Sequence, residues 1–125
     1  MCMIDTGDSP TVGWSETFRL ARKDHWCGEC GRTITAGEHY WYASGVSDHR
    51  GFSAKTCEHC HVMSEWLVNN CMGYIYSQQV EDFREHSEAC LPMLRIVVGA
   101  RRKWKSFADP ARLLPLPVYP PDMGA

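Results

Sequence analysis

Two cysteine pairs, Cys27-Gly-Glu-Cys30 and Cys57-Glu-His-Cys60, stand 26 residues apart, and they constrain this chain more than any other feature. Two CxxC pairs offer four soft thiolate ligands, the donor set that suits a tetrahedral Zn²⁺ ion. In a CxxCG segment the chain turns through a tight knuckle whose amide groups point at the sulfurs, and Gly31 permits the positive φ such a turn requires. Cys57 and Cys60 fall where a helical pattern begins, so the helix dipole favours the thiolate form there. The competing readings are ordinary buried cysteines or a CxxC redox pair, but no βαβ pattern accompanies either pair. Four thiolates leave no open coordination position, so the sequence predicts one structural Zn²⁺ held by Cys27, Cys30, Cys57 and Cys60.

Knuckle, hairpin and a helix supplying the second ligand pair form a treble clef. The expected fold is therefore α+β, a small treble-clef zinc finger with two C-terminal helices appended; a zinc ribbon, with both pairs on hairpin knuckles, is the alternative. At 125 residues the chain has room for one modest core. Apolar residues make up 44% of it and charged residues 22%, which separates it from disordered polypeptides. No apolar run approaches the roughly 20 residues of a membrane span. The stretch from Met1 to Val12 carries Asp5 and Asp8 where a secretory signal needs a basic start and an apolar core. A cytoplasmic protein is expected, and in a reducing compartment seven cysteines, an odd number, read as metal ligands before disulfides.

Residues 1–16 mix Gly, Ser, Pro, Thr and Asp without periodicity and read as a flexible leader. Residues 17–72 form the zinc-binding module: a strand over Thr17 to Arg22, short hairpins between Arg32 and Lys55 broken at Ala36-Gly37 and Gly45 to Gly51, and a helix from near Thr56. Residues 73–108 read as a helical extension. One helix runs from Ser77 or Gln78 to Cys90; another starts at Pro92, with Met93, Ile96, Val97, Ala100, Trp104 and Phe107 on one face. Residues 109–125 form a Pro-rich, extended tail.

Net charge is only −2, yet Pro92 to Arg112 holds six basic residues against Asp109 alone. Arg95, Arg101, Arg102, Lys103 and Lys105 are therefore candidates for contact with a partner or with the phosphates of a nucleic acid. Tyr40, Trp41 and Tyr42 are candidates for an aromatic protein-binding surface. Cys71, His86 and Cys90 fall on helical faces where a second metal needs a fourth ligand that is not evident, so they read better as core residues. His59 and His61 flank Cys60 as substitute ligands for positions already filled by cysteine. Asp48-His49 before a CxxCH helix suggests an HNH nuclease, but the eight positions from His49 to Cys57 are too few to assemble a general base and a metal ligand. No catalytic residue and no small-molecule substrate are expected.

The text CGECGRTITAGEHYWY followed by KTCEHCHVMSEWL resembles small zinc-binding proteins encoded in tailed-phage and prophage genomes. These share CxxCGxxIxxGExY, a CxHC pair, and a basic helix running into a Leu-Leu-Pro-x-Pro end. The four cysteines match the ligand positions, Gly37, Glu38 and Tyr40 match the hairpin, and Arg101 to Trp104 with Leu113 to Pro117 match the end. The resemblance implies a small accessory protein acting in the bacterial host cytoplasm, and the closed four-thiolate site adds the expectation that it is not an enzyme. Its expected partner is a host protein, with DNA or RNA binding through the basic third helix as the alternative.

Overall fold

The computed structural model describes residues 12–47, 50–71, 78–86 and 91–118. They form an α+β structure of five strands followed by three helices. β1 (Val12–Leu20), β4 (His39–Ser47) and β5 (Arg50–Cys57) make an antiparallel sheet in the order β1-β4-β5. β2 (His25–Trp26) and β3 (Thr33–Ile34) make a separate two-stranded ladder. α1 spans Glu58–Cys71, α2 Gln79–His86 and α3 Leu91–Arg101. Among the described residues no helix is long and apolar enough to cross a membrane.

The sheet is longer than the sequence pattern suggests. Residues 12–16, expected in a flexible leader, belong to β1, where Ser15 pairs with Ser44 and Glu16 with Ala43. They lack apolar alternation, but β4 offers a ladder to pair with, and pairing overrides local preference. Gly45 and Gly51, expected in a connection, lie within the ladder instead, opposite Phe52 and Val46. The hairpin partners also differ: Thr33-Ile34 pairs back onto His25-Trp26, while His39 to Ser47 joins β1 and β5.

One hydrophobic core joins the elements. Ile34 and Tyr40 from the strands, Met63, Trp66 and Leu67 from α1, Phe83 from α2, and Met93, Ile96 and Val97 from α3 are all buried in it. Trp66 and Phe83 meet edge to face at 5.1 Å, and Arg101 of α3 reaches Glu81 of α2 at 2.7 Å. The sulfur-bearing residues Cys27, Cys57 and Cys60 belong to the same core, so a metal site here is continuous with the packing of all three helices.

α3 stops at Arg101, well before the expected Phe107, and its end is a Schellman cap. The Trp104 amide donates to the Gly99 carbonyl at 2.7 Å and the Lys103 amide to that of Ala100 at 3.0 Å. Lys103 and Trp104 carry φ of 58° and 61°, the left-handed region that L side chains rarely enter. Beyond the cap the chain doubles back, with Lys105 bridged to Leu113 and the Leu114 amide donating to the Trp104 carbonyl at 2.8 Å. Phe107, expected on the apolar face, is 72% exposed as a result, its ring 3.6 Å from the Arg102 guanidinium carbon.

Candidate metal centre

Cys27 and Cys30 belong to the knuckle between β2 and β3. The Cys27 amide donates to the Arg32 carbonyl and the Gly31 amide to the Cys27 carbonyl, both at 3.0 Å. Gly31 sits at φ 79°, as the knuckle requires. The Gly28 amide donates to the Lys55 carbonyl at 2.8 Å, which fastens the knuckle to β5. Cys57 is the last residue of β5 and Cys60 lies in the first turn of α1. Strand end and helix start thus present one CxxC pair to the other.

The four sulfurs lie within 4.8 Å of one another, with Cys30 and Cys57 Sγ atoms 3.9 Å apart. None of the four is in a disulfide. A tetrahedral thiolate site with metal–sulfur bonds of about 2.3 Å separates its sulfurs by about 3.8 Å, so the cluster has the size needed to hold one metal ion. Donors surround it. Cys27 Sγ accepts from the Glu29 and Cys57 amides at 3.4 Å each, Cys57 Sγ from the Cys60 amide at 3.5 Å, and Cys60 Sγ from the Trp104 indole N–H at 3.3 Å.

These sulfurs cannot all be thiolates without a cation, and their proton affinities divide accordingly. Hydrogen bonds from the other three cysteines pull Cys27 down. The bond with Cys27 pushes Cys57 up, but those with Cys30 and Cys60 outweigh it and Cys57 falls. Cys30 and Cys60 rise, foremost because of their bonds with Cys27. A bound divalent cation removes this conflict by stabilising four thiolates together. Arg32 adds positive charge nearby: burial works against its charge, but Cys57 and Glu38 outweigh it and raise its pKa. Its Nη1 donates to Glu38 Oε1 at 3.0 Å.

The substitute ligands face elsewhere. His59 Nε2 donates to the Leu114 carbonyl at 2.6 Å and the ring lies 5.4 Å from Trp104. His61 stacks on Trp41 at 4.0 Å, near Glu16 and Glu65. Cys71 is buried and disulfide-bonded, which withdraws its sulfur from a second metal. Cys90, the side chain of His86, and the Asp48-His49 pair of the nuclease reading lie outside the described residues.

The expected contact residues scatter. Tyr40 is buried at 5% exposure, while Trp41 is half-buried against His61 and Tyr42 half-buried under the Arg19 guanidinium, 4.0 Å away. Arg95, Lys103 and Lys105 are exposed, and Arg102 is half-buried. Arg101 is matched by Glu81. Sequence reasoning missed two contributors. Trp104 carries the apolar spacing of a core residue, and nothing in that spacing points its N–H at a ligand sulfur. Arg32 and Glu38 form an ion pair beside the knuckle, which the separation of six residues only permits.

Comparison of the chain with family models, with curated proteins and with solved structures finds no match.

Proposed function

We propose that this chain is a non-enzymatic, zinc-stapled treble-clef module, a phage or prophage accessory factor that binds a host bacterial protein and modulates its activity. The order knuckle, β4–β5 hairpin, α1 supports the treble clef, and four clustered thiols support Zn²⁺ over harder metals. A closed four-thiolate shell has no position for water or substrate, so the metal's effect is on folding.

The observation that carries the binding reading is the outer face of α3. Met93, Ile96, Val97 and Ala100 bury its inner face, yet Leu91, Leu94 and Val98 remain 60%, 44% and 46% exposed. They recur at steps of three and four, with exposed Arg95 beside them. An apolar stripe at this spacing on one helix face is the form in which helices dock on protein surfaces.

The test is affinity capture from nuclease-treated bacterial lysate, using zinc-loaded wild type and a Leu94→Glu, Val98→Glu variant. A host protein retained by the wild type and lost by the variant, at equal zinc content, supports the reading. Equal retention by both, or none by either, overturns it.

A further inference from the structure

The knuckle hairpin β2–β3 stands between two basic clefts. The first, of about 690 Å³, is lined by Arg19, Leu20, Arg22, Lys23, His25 and Tyr40, with no carboxylate among them. Asp24, the acid closest in sequence, does not line the cleft and accepts from the Ala36 amide at 3.0 Å. The second, of about 570 Å³, lies on the β3 side and includes Lys103, Lys105 and Arg112. Its one acid, Glu38, is already matched by Arg32. None of Arg19, Arg22, Lys23, Lys103, Lys105 and Arg112 has an ion-pair partner among the described residues.

Three uncompensated cations around a concavity repel one another and focus a positive potential outward, an arrangement complementary to an anion. Two such concavities flanking one hairpin suit a polyanion better than a single small ion. The same hairpin carries Trp26, 74% exposed. Its strand neighbour His25 lines the first cleft, and Thr33, its cross-strand partner, lines the second. An indole so exposed beside open positive clefts fits a base that is free to stack. Bases within a duplex are already stacked on one another, so the ligand is single-stranded.

We propose that the knuckle hairpin binds a single-stranded nucleic acid, with Trp26 stacked on an unpaired base and the two flanking basic clefts holding phosphates on either side. This site is separate from the outer face of α3, so its failure leaves the protein-binding reading standing, and the reverse also holds.

The experiment measures anisotropy of end-labelled oligo(dT) and oligo(U) with the zinc-loaded full chain across a salt series, with a duplex of equal length and an inorganic polyphosphate as competitors. The wild type should bind a single strand in preference to the duplex, with log affinity falling against log salt by about 0.7 per phosphate contacted. Trp26→Ala should weaken binding about 5- to 100-fold while leaving that slope unchanged. Two paired variants, Arg22→Gln with Lys23→Gln and Lys105→Gln with Arg112→Gln, should each flatten the slope by about 1.4. Zinc content and circular dichroism equal to wild type verify that each variant is folded. Either oligonucleotide behaving in this way supports the assignment, and the preferred one names the nucleic acid. No binding at low salt, preference for the duplex, or polyphosphate competing equally while Trp26→Ala binds like wild type would overturn it.

Discussion

The indole N–H of Trp104 lies 3.3 Å from the sulfur of Cys60, although 44 residues separate them in the chain. The Schellman cap of α3 makes this contact: it turns the chain through two left-handed residues and sets the ring over the ligand cluster. The helical extension thereby becomes part of the candidate metal site's surroundings, since N–H donors to a ligand stabilise its charge and fix its orientation.

Trp104→Phe should therefore keep most of the packing and remove only the donor. Metal affinity is expected to fall about 10-fold, at the lower end of the range for losing such a partner, with one metal per chain retained. Competition against a chromophoric zinc chelator reads this directly. An unchanged affinity would show that the contact is packing alone.

Gly99 makes room for that ring. A Cβ there would meet two Trp104 ring carbons at 2.8 and 2.9 Å, and a bicyclic ring held by a cap and by Leu114 has little freedom to yield. Gly99→Ala is expected to destabilise the fold by about 1 to 3 kcal/mol through overpacking and to weaken metal binding as Trp104 shifts. Lys103→Gly acts in the opposite sense. It relieves a left-handed φ of 58° at the position where helix caps favour glycine, with a gain of up to about 1 kcal/mol. Thermal melts of the two zinc-loaded variants should move in opposite directions.

Cys57→Ser removes a sulfur that is fully buried at the junction of β5 and α1. The three remaining sulfurs then lack the charge and softness to close the shell. If the proposed zinc is held here, elemental analysis should show its loss, and cooperative melting should disappear, because structural zinc is typically worth about 10 to 16 kcal/mol in zinc-finger peptides. A variant that melts cooperatively without metal would refute the structural role.

The cysteine cluster was legible because spacing and chemistry coincide: CxxCG needs a knuckle, and a CxxC pair at a helix start needs only local geometry to converge on it. The apolar stripe likewise placed Met93, Ile96, Val97 and Ala100 in the core, where they lie. Three features depend on distant partners and left no local signal. β1 exists over residues 12–16 because β4 is there to pair with it. α3 ends early because Gly99 and Trp104 fit each other, whereas the periodicity continues to Phe107. Leu114, in an expected extended tail, is bound through its carbonyl to His59, a contact that requires the chain reversal after Trp104.

Glu38 gives a pH signature that is separable from the metal. Burial alone would raise its pKa, but hydrogen bonds from the Thr35 hydroxyl and amide, with the Arg32 guanidinium, overcome burial and lower it. Both Thr35 donors reach Oε2 at 2.7 Å. A carboxylate whose folded pKa lies below its unfolded value, about 4.3, stabilises the fold fully above that value and ceases to do so as pH falls through the folded pKa. Glu38→Gln should thus lower stability at pH 7 by about 1.5 to 3 kcal/mol, the range for hydrogen bonds to a charged group. Acid will also strip the metal by protonating the thiolates, so the difference in Tm between wild type and variant is read only where both proteins still hold the metal and melt cooperatively. Within that range it should be constant from about pH 7 to 5 and shrink as pH falls further and the wild-type carboxylate is protonated. A difference that stays constant to the acid limit would mean that Glu38 contributes through its shape and not through its charge.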